Sequence, residues 1–301
     1  MPTTRPLSPL IGLALAMALA LAAPAPDPLH GQTGDRERTL FVSAVDHTGE
    51  PVDGLKATDF IIREDGRRRE VLRVSRAIDP IDIAVLIDNS AAAKNAILPM
   101  RDGLKAFVST MAGENQVALI GLADRPTVLV DYTADPKRLD EGIGRIFSQS
   151  TSGMTLLDAL VDVSEGLERR SSLRAVIVPV VTDGTEFTNR DARRVIDSVK
   201  KTGAWIHAIT IGTFPITDEA RRERALVLDV GAPSTGGQRV TLLSEAGIPQ
   251  ALQKLARELS SQYKVVYGRP DSFLPPETID VVSRRTGVTM RGIPARGRIG
   301  A

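Results

Sequence analysis

Apolar and polar positions divide the chain into a β-rich N-terminal part and a longer part in which strands alternate with helices. From residue 80 onward, unbroken apolar runs such as "IDIAVLID" and "AVIVPVV" are typical of strands buried on both faces of a parallel sheet. Between such runs, Ile97, Leu104 and Met111 recur at helical spacing. This alternation predicts an α/β fold built on a doubly wound, mostly parallel sheet.

We expect six strands in this sheet. Their sequences are "IDIAVLID", "QVALIGLA", "PTVLVDY", "LRAVIVPVVTDG", "AWIHAITIG" and "QRVTL". Only Asp124 and Arg125 separate the second run from the third, which is too short for a crossover, so these two strands should pair antiparallel. The charged segment 213–237 is expected to be irregular. A final helix opens at Pro249.

The flanks of this part have strand and turn character. Residues 32–79 form an N-terminal β segment that contains a hairpin signal at Asp65-Gly66, and residues 269–301 form a C-terminal β tail. Neither flank has enough large apolar residues to bury a core alone. We therefore hypothesise that strands within 38–76 and 262–292 pair into one small flanking β module.

The N-terminus has the features of a secretory signal peptide. After Arg5, an uncharged apolar run of 14 residues extends from Leu10 to Ala23, which is shorter than the roughly 20 residues of a membrane-spanning helix. A small-x-small pattern, Ala23-Pro24-Ala25, follows. Residues 1–31 are therefore predicted to be cleaved, which places the mature protein in the periplasm or outside the cell without a membrane span. The alternative is an uncleaved membrane anchor.

Charge and cysteine content exclude several classes of function. Lys plus Arg number 38 and Asp plus Glu number 37, so the net charge of +1 gives no general attraction to nucleic acid. The sequence has no cysteine, which excludes disulfides, thiolate metal sites and cysteine catalysis.

Polar side chains follow the predicted strands where ligands of open α/β sheets usually bind. Asp88 and Ser90 follow one strand, Thr155 ends a small-polar loop, and Asp183 follows another strand. Their carboxylates and hydroxyls are hard oxygen ligands, which suit Mg²⁺ or a similar divalent ion. Each residue also has an alternative structural role: turn formation for Asp88, Ser90 and Asp183, and for Thr155 a helix cap with Asp158.

These residues resemble the metal-ion-dependent adhesion site of the von Willebrand factor type A domain. That family carries an Asp-x-Ser-x-Ser loop, a distant Thr and a distant Asp. Asp88 and Ser90 match the start of the loop, Thr155 matches the distant Thr, and Asp183 matches the distant Asp. Ala92 stands at the second serine position, so one family ligand is missing.

The resemblance covers about residues 80–268, and the flanks resemble a bacterial secreted subgroup of the family. It implies a Rossmann-like fold and a non-enzymatic module that binds other proteins. A divalent cation, Mg²⁺ or another, held partly through water, would attract an acidic side chain of a partner protein. Because a family ligand is missing, a metal-independent scaffolding module with a vestigial site is the alternative.

Catalytic interpretations find little support in the sequence. Of the three histidines, His30 lies at the end of the signal peptide, His47 lies in a turn, and His207 is expected to be a satisfied interior residue. No G-x-S-x-G, G-x-G-x-x-G or P-loop motif is present where it would be needed. An aspartate-dependent phosphohydrolase with Asp88 as nucleophile is the remaining enzyme alternative, although such enzymes carry a second Asp where Ser90 stands.

Overall fold

The structure of this protein is a computed structural model that describes residues 37–213, 216–269 and 278–294. The predicted signal peptide, residues 1–31, lies outside the described residues. The strands, in chain order, are β1 (Glu37–Val45), β2 (Phe60–Glu64), β3 (Arg67–Arg69), β4 (Val71–Arg76), β5 (Asp82–Ile87), β6 (Gln116–Gly121), β7 (Thr127–Thr133), β8 (Ala175–Val181), β9 (Ala204–Ile211), β10 (Gln238–Leu242), β11 (Tyr263–Gly268), β12 (Ile279–Ser283) and β13 (Thr289–Pro294).

The helices follow the apolar spacing of the sequence in most places. They are α1 (Ile97–Met111), α2 (Pro136–Gly144), α3 (Leu156–Arg170), α4 (Ala192–Thr202), α5 (Glu219–Leu226), α6 (Ala232–Ser234) and α7 (Ile248–Ser260). Within the described ranges, no helix is long and apolar enough to cross a membrane.

The central sheet has six strands in the order β10-β9-β8-β5-β6-β7. All neighbours are parallel except β6 and β7, which pair antiparallel as the short connection between them predicts. The residues of β8 are all buried, because the strand is covered on both faces and flanked by strands on both sides. The predicted six-stranded α/β sheet is confirmed.

Helices cover both faces of this sheet. On one face, a core forms between the strands and the helices α1, α2 and α7, with Phe107 of α1 and Leu252 of α7 fully buried. On the other face, α3 and α4 contribute Leu160 and Val195 to a second core. The sheet is therefore doubly wound.

The flanks form the predicted antiparallel β module. One sheet has the order β13-β1-β11-β4 and a second has the order β12-β2-β3. They share a core that includes Phe60, Ile62 and Tyr267. The hairpin between β2 and β3 turns at Asp65 and Gly66, which both have positive φ, of 48° and 76°. N-terminal and C-terminal strands thus stabilise each other, as hypothesised. The strand β11 lies at the C-terminal end of the region 80–268 and pairs with β1 and β4 of this module.

The prediction that segment 213–237 is irregular is wrong. The segment contains α5, a π-helical turn at Val227–Gly231, and α6. Arg224, Val227 and Leu228 are buried there, at 1%, 0% and 0% relative exposure. Because charged residues dominate α5, its buried side is too narrow to leave an apolar period in the sequence.

Candidate metal centre

Asp88 joins the carboxyl ends of two central strands. It follows β5 directly and is fully buried. Its Oδ1 accepts a hydrogen bond from the backbone N–H of Ser90 at 2.9 Å. Its Oδ2 accepts from the backbone N–H of Thr182 at 3.0 Å and from the Thr182 hydroxyl at 2.5 Å. Thr182, at the end of β8, is a contact that the sequence interpretation did not assign.

Ser90 presents a buried hydroxyl beside this carboxylate. Its Oγ has no hydrogen-bond partner among the described residues, and the residue is 1% exposed. A Cβ built on Gly184 would lie 3.2 Å from Ser90 Oγ and 3.0 Å from the Cβ of Ala92. Gly184, Ser90 and Ala92 therefore line one small space, in which the methyl group of Ala92 stands at the position of the family's second serine.

Thr155 contacts the end of β6 and does not form the alternative capping arrangement. Its Oγ1 donates to the carbonyl of Leu122 at 2.8 Å, and its backbone N–H donates to the same oxygen at 3.0 Å. Although Thr155 is the N-cap residue of α3, its side chain makes no capping hydrogen bond. The lone pairs of Oγ1 remain available to another partner.

Asp183 follows Thr182 in the chain and, in contrast to Asp88, is exposed. Its carboxylate extends toward the end of β9, since a Cβ built on Gly212 would lie 3.6 Å from Asp183 Oδ2. Asp88, Ser90 and Thr182 are thus joined directly by hydrogen bonds, whereas Asp183 lies at the same end of the sheet with its carboxylate on the β9 side.

Hydrogen bonds hold the loops of this rim together. The side-chain Oδ1 of Asn89 accepts from the backbone N–H groups of Leu122 and Ala123, both at 2.9 Å. Ser148 Oγ donates to the carbonyl of Ser90 at 3.0 Å. These contacts connect the loop after β5 to the loop before Thr155 and to the end of β6, so three remote segments meet at one edge.

A buried contact between Arg224 and Glu186 lies behind the rim and was not anticipated from the sequence. Arg224 Nη1 donates to the carbonyl of Gly184 at 2.7 Å and lies 3.8 Å from Glu186 Oε2. Glu186 Oε1 accepts from the backbone N–H of Leu157 at 3.3 Å. Burial raises the pKa of Glu186 to about 8, against the opposing effect of the Arg224 charge. The pair braces the Asp183 loop against α3, and nothing local in the sequence relates positions 186 and 224.

The residues present fit a weakly charged divalent-cation site. The donors are two carboxylates and two hydroxyls, and the described residues contain no cluster of three or more His, Cys, Asp or Glu side chains that could hold a metal. Such a set suits Mg²⁺, which commonly keeps several waters. The orphaned Ser90 hydroxyl is the strongest sign of fit, because an unsatisfied buried hydroxyl costs about 1–3 kcal/mol.

Comparison with known proteins identifies the central domain. Residues 83–186 match the family model described as von Willebrand factor type A domain. Residues 83–186 are therefore similar to a von Willebrand factor type A domain. A search of curated proteins finds no match. The assignment to a bacterial secreted subgroup remains a prediction.

Solved structures share the fold of this chain at low sequence identity. A von Willebrand factor type A protein from Catenulispora acidiphila is 13% identical, with a TM-score of 0.51, and the alignment covers 86% of this chain and 74% of that chain. Proximal thread matrix protein 1 of the mussel byssus is 16% identical, with a TM-score of 0.50, over 65% of this chain and 50% of that chain. This chain therefore spans about half the length of the mussel protein.

Proposed function

We propose that this chain is an exported, non-enzymatic module that binds a partner protein through Mg²⁺ or another divalent cation held by Asp88, Ser90, Thr155 and Asp183. The observation that carries the proposal is the buried Ser90 hydroxyl, which has no partner among the described residues and lies beside the buried carboxylate of Asp88. A cation coordinated there, partly through water, satisfies both groups.

Each residue contributes a distinct property to this site. Asp88 supplies a negative charge whose direction is fixed by Ser90 N–H and Thr182. Ser90 and Thr155 supply neutral oxygens, and exposed Asp183 supplies a second charge on the β9 side. A bound cation offers an open coordination position to a carboxylate of the partner. Because the protein carries only two charges there, the cation retains the electrophilic character that attracts an anionic ligand.

A metal-independent scaffolding module is the second candidate function. Ala92 favours it, because its methyl group faces the space where the family has a second serine oxygen. In that case the partner binds through other surfaces, and a chelator leaves binding unchanged. The phosphohydrolase alternative is disfavoured, since such enzymes carry a second Asp at the position of Ser90.

Calorimetric titration of the purified protein with MgCl₂ and MnCl₂ tests the metal site. We expect saturable binding that Asp183→Ala weakens and Asp88→Ala abolishes. Asp183 is exposed, so its replacement leaves the fold intact, whereas Asp88 also holds β5 to β8. Ala92→Ser restores the missing ligand hydroxyl and should tighten binding by at least about tenfold, since even the partners of metal ligands change affinity by about 10–100-fold.

Equal metal affinities of the wild-type protein and Asp183→Ala would contradict the metal proposal and favour the scaffolding candidate. Export has its own test. N-terminal sequencing of protein recovered from the periplasm or the medium should find a start within residues 24–32, and recovery only in the membrane fraction would favour an anchor.

A further inference from the structure

Two phenylalanines stand exposed beside the candidate metal centre. Phe147 is 63% exposed and Phe187 is 53% exposed. Each belongs to a loop that contributes to the rim: Phe147 lies between α2 and α3, and Phe187 lies between β8 and α4. Single exposed apolar residues are ordinary on protein surfaces. A pair of exposed aromatic residues on the loops of one polar site is a candidate interaction surface, because burial of aromatic side chains against a partner stabilises the complex.

Phe147 is fixed to the loop that carries Ser90. The carbonyl of Phe147 accepts from Asn89 Nδ2 at 3.5 Å, and the next residue, Ser148, donates to the carbonyl of Ser90 at 3.0 Å. The Arg101 guanidinium lies over the Phe147 ring, 4.4 Å from its centroid. Arg101 makes no ion pair with a carboxylate within the described ranges, so this side of the rim carries a cation that is not neutralised.

Phe187 is fixed to the loop that carries Thr155. Its backbone N–H donates to the carbonyl of Met154 at 2.7 Å. A Cβ built on Gly153 would lie 2.5 Å from the Phe187 ring, so the absence of a side chain at Gly153 lets the ring lie against this loop. Beside it, an open cleft of about 750 Å³ is lined by residues that include Thr185, Phe187 and Arg190.

The residues that anchor the two phenylalanines pack on opposite faces of the central sheet. Ile146, the neighbour of Phe147, packs in the core formed with α1 and α2. Met154, whose carbonyl accepts a hydrogen bond from the backbone N–H of Phe187, packs in the core formed with α3 and α4. Phe147 is thus attached to the rim beside the loop that carries Ser90, and Phe187 is attached beside the loop that carries Thr155.

We infer that Phe147 and Phe187 are two aromatic shoulders that recognise a partner segment in which an acidic residue is flanked on both sides by apolar residues. The inference rests on the proposed function, because the acidic residue is placed by the cation. Arg101 complements the negative charge of such a segment. The rings are already held by their loops, so little conformational entropy is lost on binding.

Two end-blocked peptides, Ile-Glu-Ile and Gly-Glu-Gly, test the shoulders by calorimetric or NMR titration in MgCl₂. We expect Ile-Glu-Ile to bind at least about tenfold more tightly, because only its flanking side chains bury apolar surface against the rings. Gly-Glu-Gly measures the contribution of the carboxylate alone. Equal affinity for the two peptides, or no binding of either, would overturn the inference.

Variants of the two phenylalanines test whether their side chains cause the difference in affinity between the two peptides. Phe147→Ser and Phe187→Ser should lower the affinity for Ile-Glu-Ile toward that for Gly-Glu-Gly, and Phe187→Leu should retain most of the difference. Ile78→Ser is the control, because Ile78 is 87% exposed and precedes β5, at the opposite end of the sheet. If Phe187→Ser and the control lower affinity equally, the shoulders are not the binding surface.

A chelator separates this inference from the proposed function. If Ile-Glu-Ile binds more tightly than Gly-Glu-Gly and EDTA abolishes binding of both peptides, the metal and the shoulders act together. If EDTA leaves Ile-Glu-Ile binding intact while Phe187→Ser abolishes it, the aromatic shoulders stand and the metal-based function fails. If Gly-Glu-Gly and Ile-Glu-Ile bind equally and only with metal, the metal-based function stands and the shoulders fail.

Discussion

At the scale of single residues, His207 is a buried histidine in the middle of β9. It was expected to be a satisfied interior residue; it is buried in β9, but neither ring nitrogen has a hydrogen-bond partner among the described residues. The ring stacks on Trp205 with centroids 5.7 Å apart. It shares a cavity of about 130 Å³ with Glu258 and Arg291. Burial lowers the pKa of His207 from 6.5 to about 4, so the imidazole is neutral near pH 7.

This histidine should make the protein sensitive to acid. Between pH 6.5 and pH 4 the unfolded chain takes up a proton that folded His207 does not accept, so stability falls as the pH falls through this window. From pH 7 to pH 4.5, the wild-type protein should lose about 2 kcal/mol more unfolding free energy than His207→Leu. Urea denaturation at both pH values measures this difference.

Glu258 and Arg291 face His207 and are present in both proteins, so the comparison measures the imidazole together with its coupling to these two charges. Burial by itself would raise the pKa of Glu258, but a protonated His207 and the charge of Arg291 lower it. A variant with the same loss as the wild-type protein would show that His207 is protonated equally in both states.

Among the elements, α2 depends on one glycine for its position on the sheet. A Cβ built on Gly142 would lie 2.0 Å from Val130 Cγ2, in β7. Val130 is 6% exposed and β-branched, so it has little freedom to move away. Gly144, in the same helix, has no neighbour within 4 Å of its built Cβ. The helix therefore carries a buried and an open glycine two residues apart.

We expect opposite effects from alanine at these two positions. Gly142→Ala should lower the free energy of unfolding by about 1–3 kcal/mol, because it overpacks the contact with Val130. Gly144→Ala should raise it by about 0.5 kcal/mol, because alanine restricts the unfolded chain without a clash. Urea denaturation of both variants measures the two free energies of unfolding. Equal changes in the two variants would show that Gly142 is not packed tightly against Val130.

In the molecule as a whole, Arg174 joins the central sheet to the flanking β module. Its guanidinium donates to the carbonyls of Asp79 and Leu259, both at 2.8 Å, and to Gln262 Oε1 at 2.6 Å. Gln262 in turn donates to Ser43 Oγ of β1 at 2.9 Å. Burial lowers the pKa of Arg174 to about 10, which leaves the side chain charged near neutral pH.

Arg174→Met should lower the free energy of unfolding by about 3 kcal/mol, because it leaves buried acceptors without a donor. Arg170→Met is the matched control. Arg170 pairs with Asp82 at 3.0 Å with a partly exposed side chain, and such pairs contribute at most about 1 kcal/mol. Calorimetry should find a single transition in each case, since α7 continues directly into β11. Two transitions in the wild-type protein would mean that the module and the central domain fold independently.

Local pattern was enough to predict the sheet, most helices and the flanking strands. The order of residues along a strand or helix fixes which positions face a core, and this information lies within a few residues. It also predicted that Asp88 and Asp183 follow strands at one edge of the sheet, because parallel strands bring their carboxyl ends to one edge. The charged segment around α5 was missed because its buried residues leave no apolar period.

The partner of each side chain depends on the tertiary structure. Asp88 accepts a hydrogen bond from Thr182, 94 residues away, whereas the carboxylate of Asp183 extends toward Gly212. The sequence named Asp88, Ser90, Thr155 and Asp183 as candidates, but side-chain direction depends on neighbours that are distant along the chain. By itself, the sequence determined the elements and the edge where they end. Only the tertiary structure decided which oxygens are already bonded, which hydroxyl is left without a partner, and where Arg224 and His207 are buried.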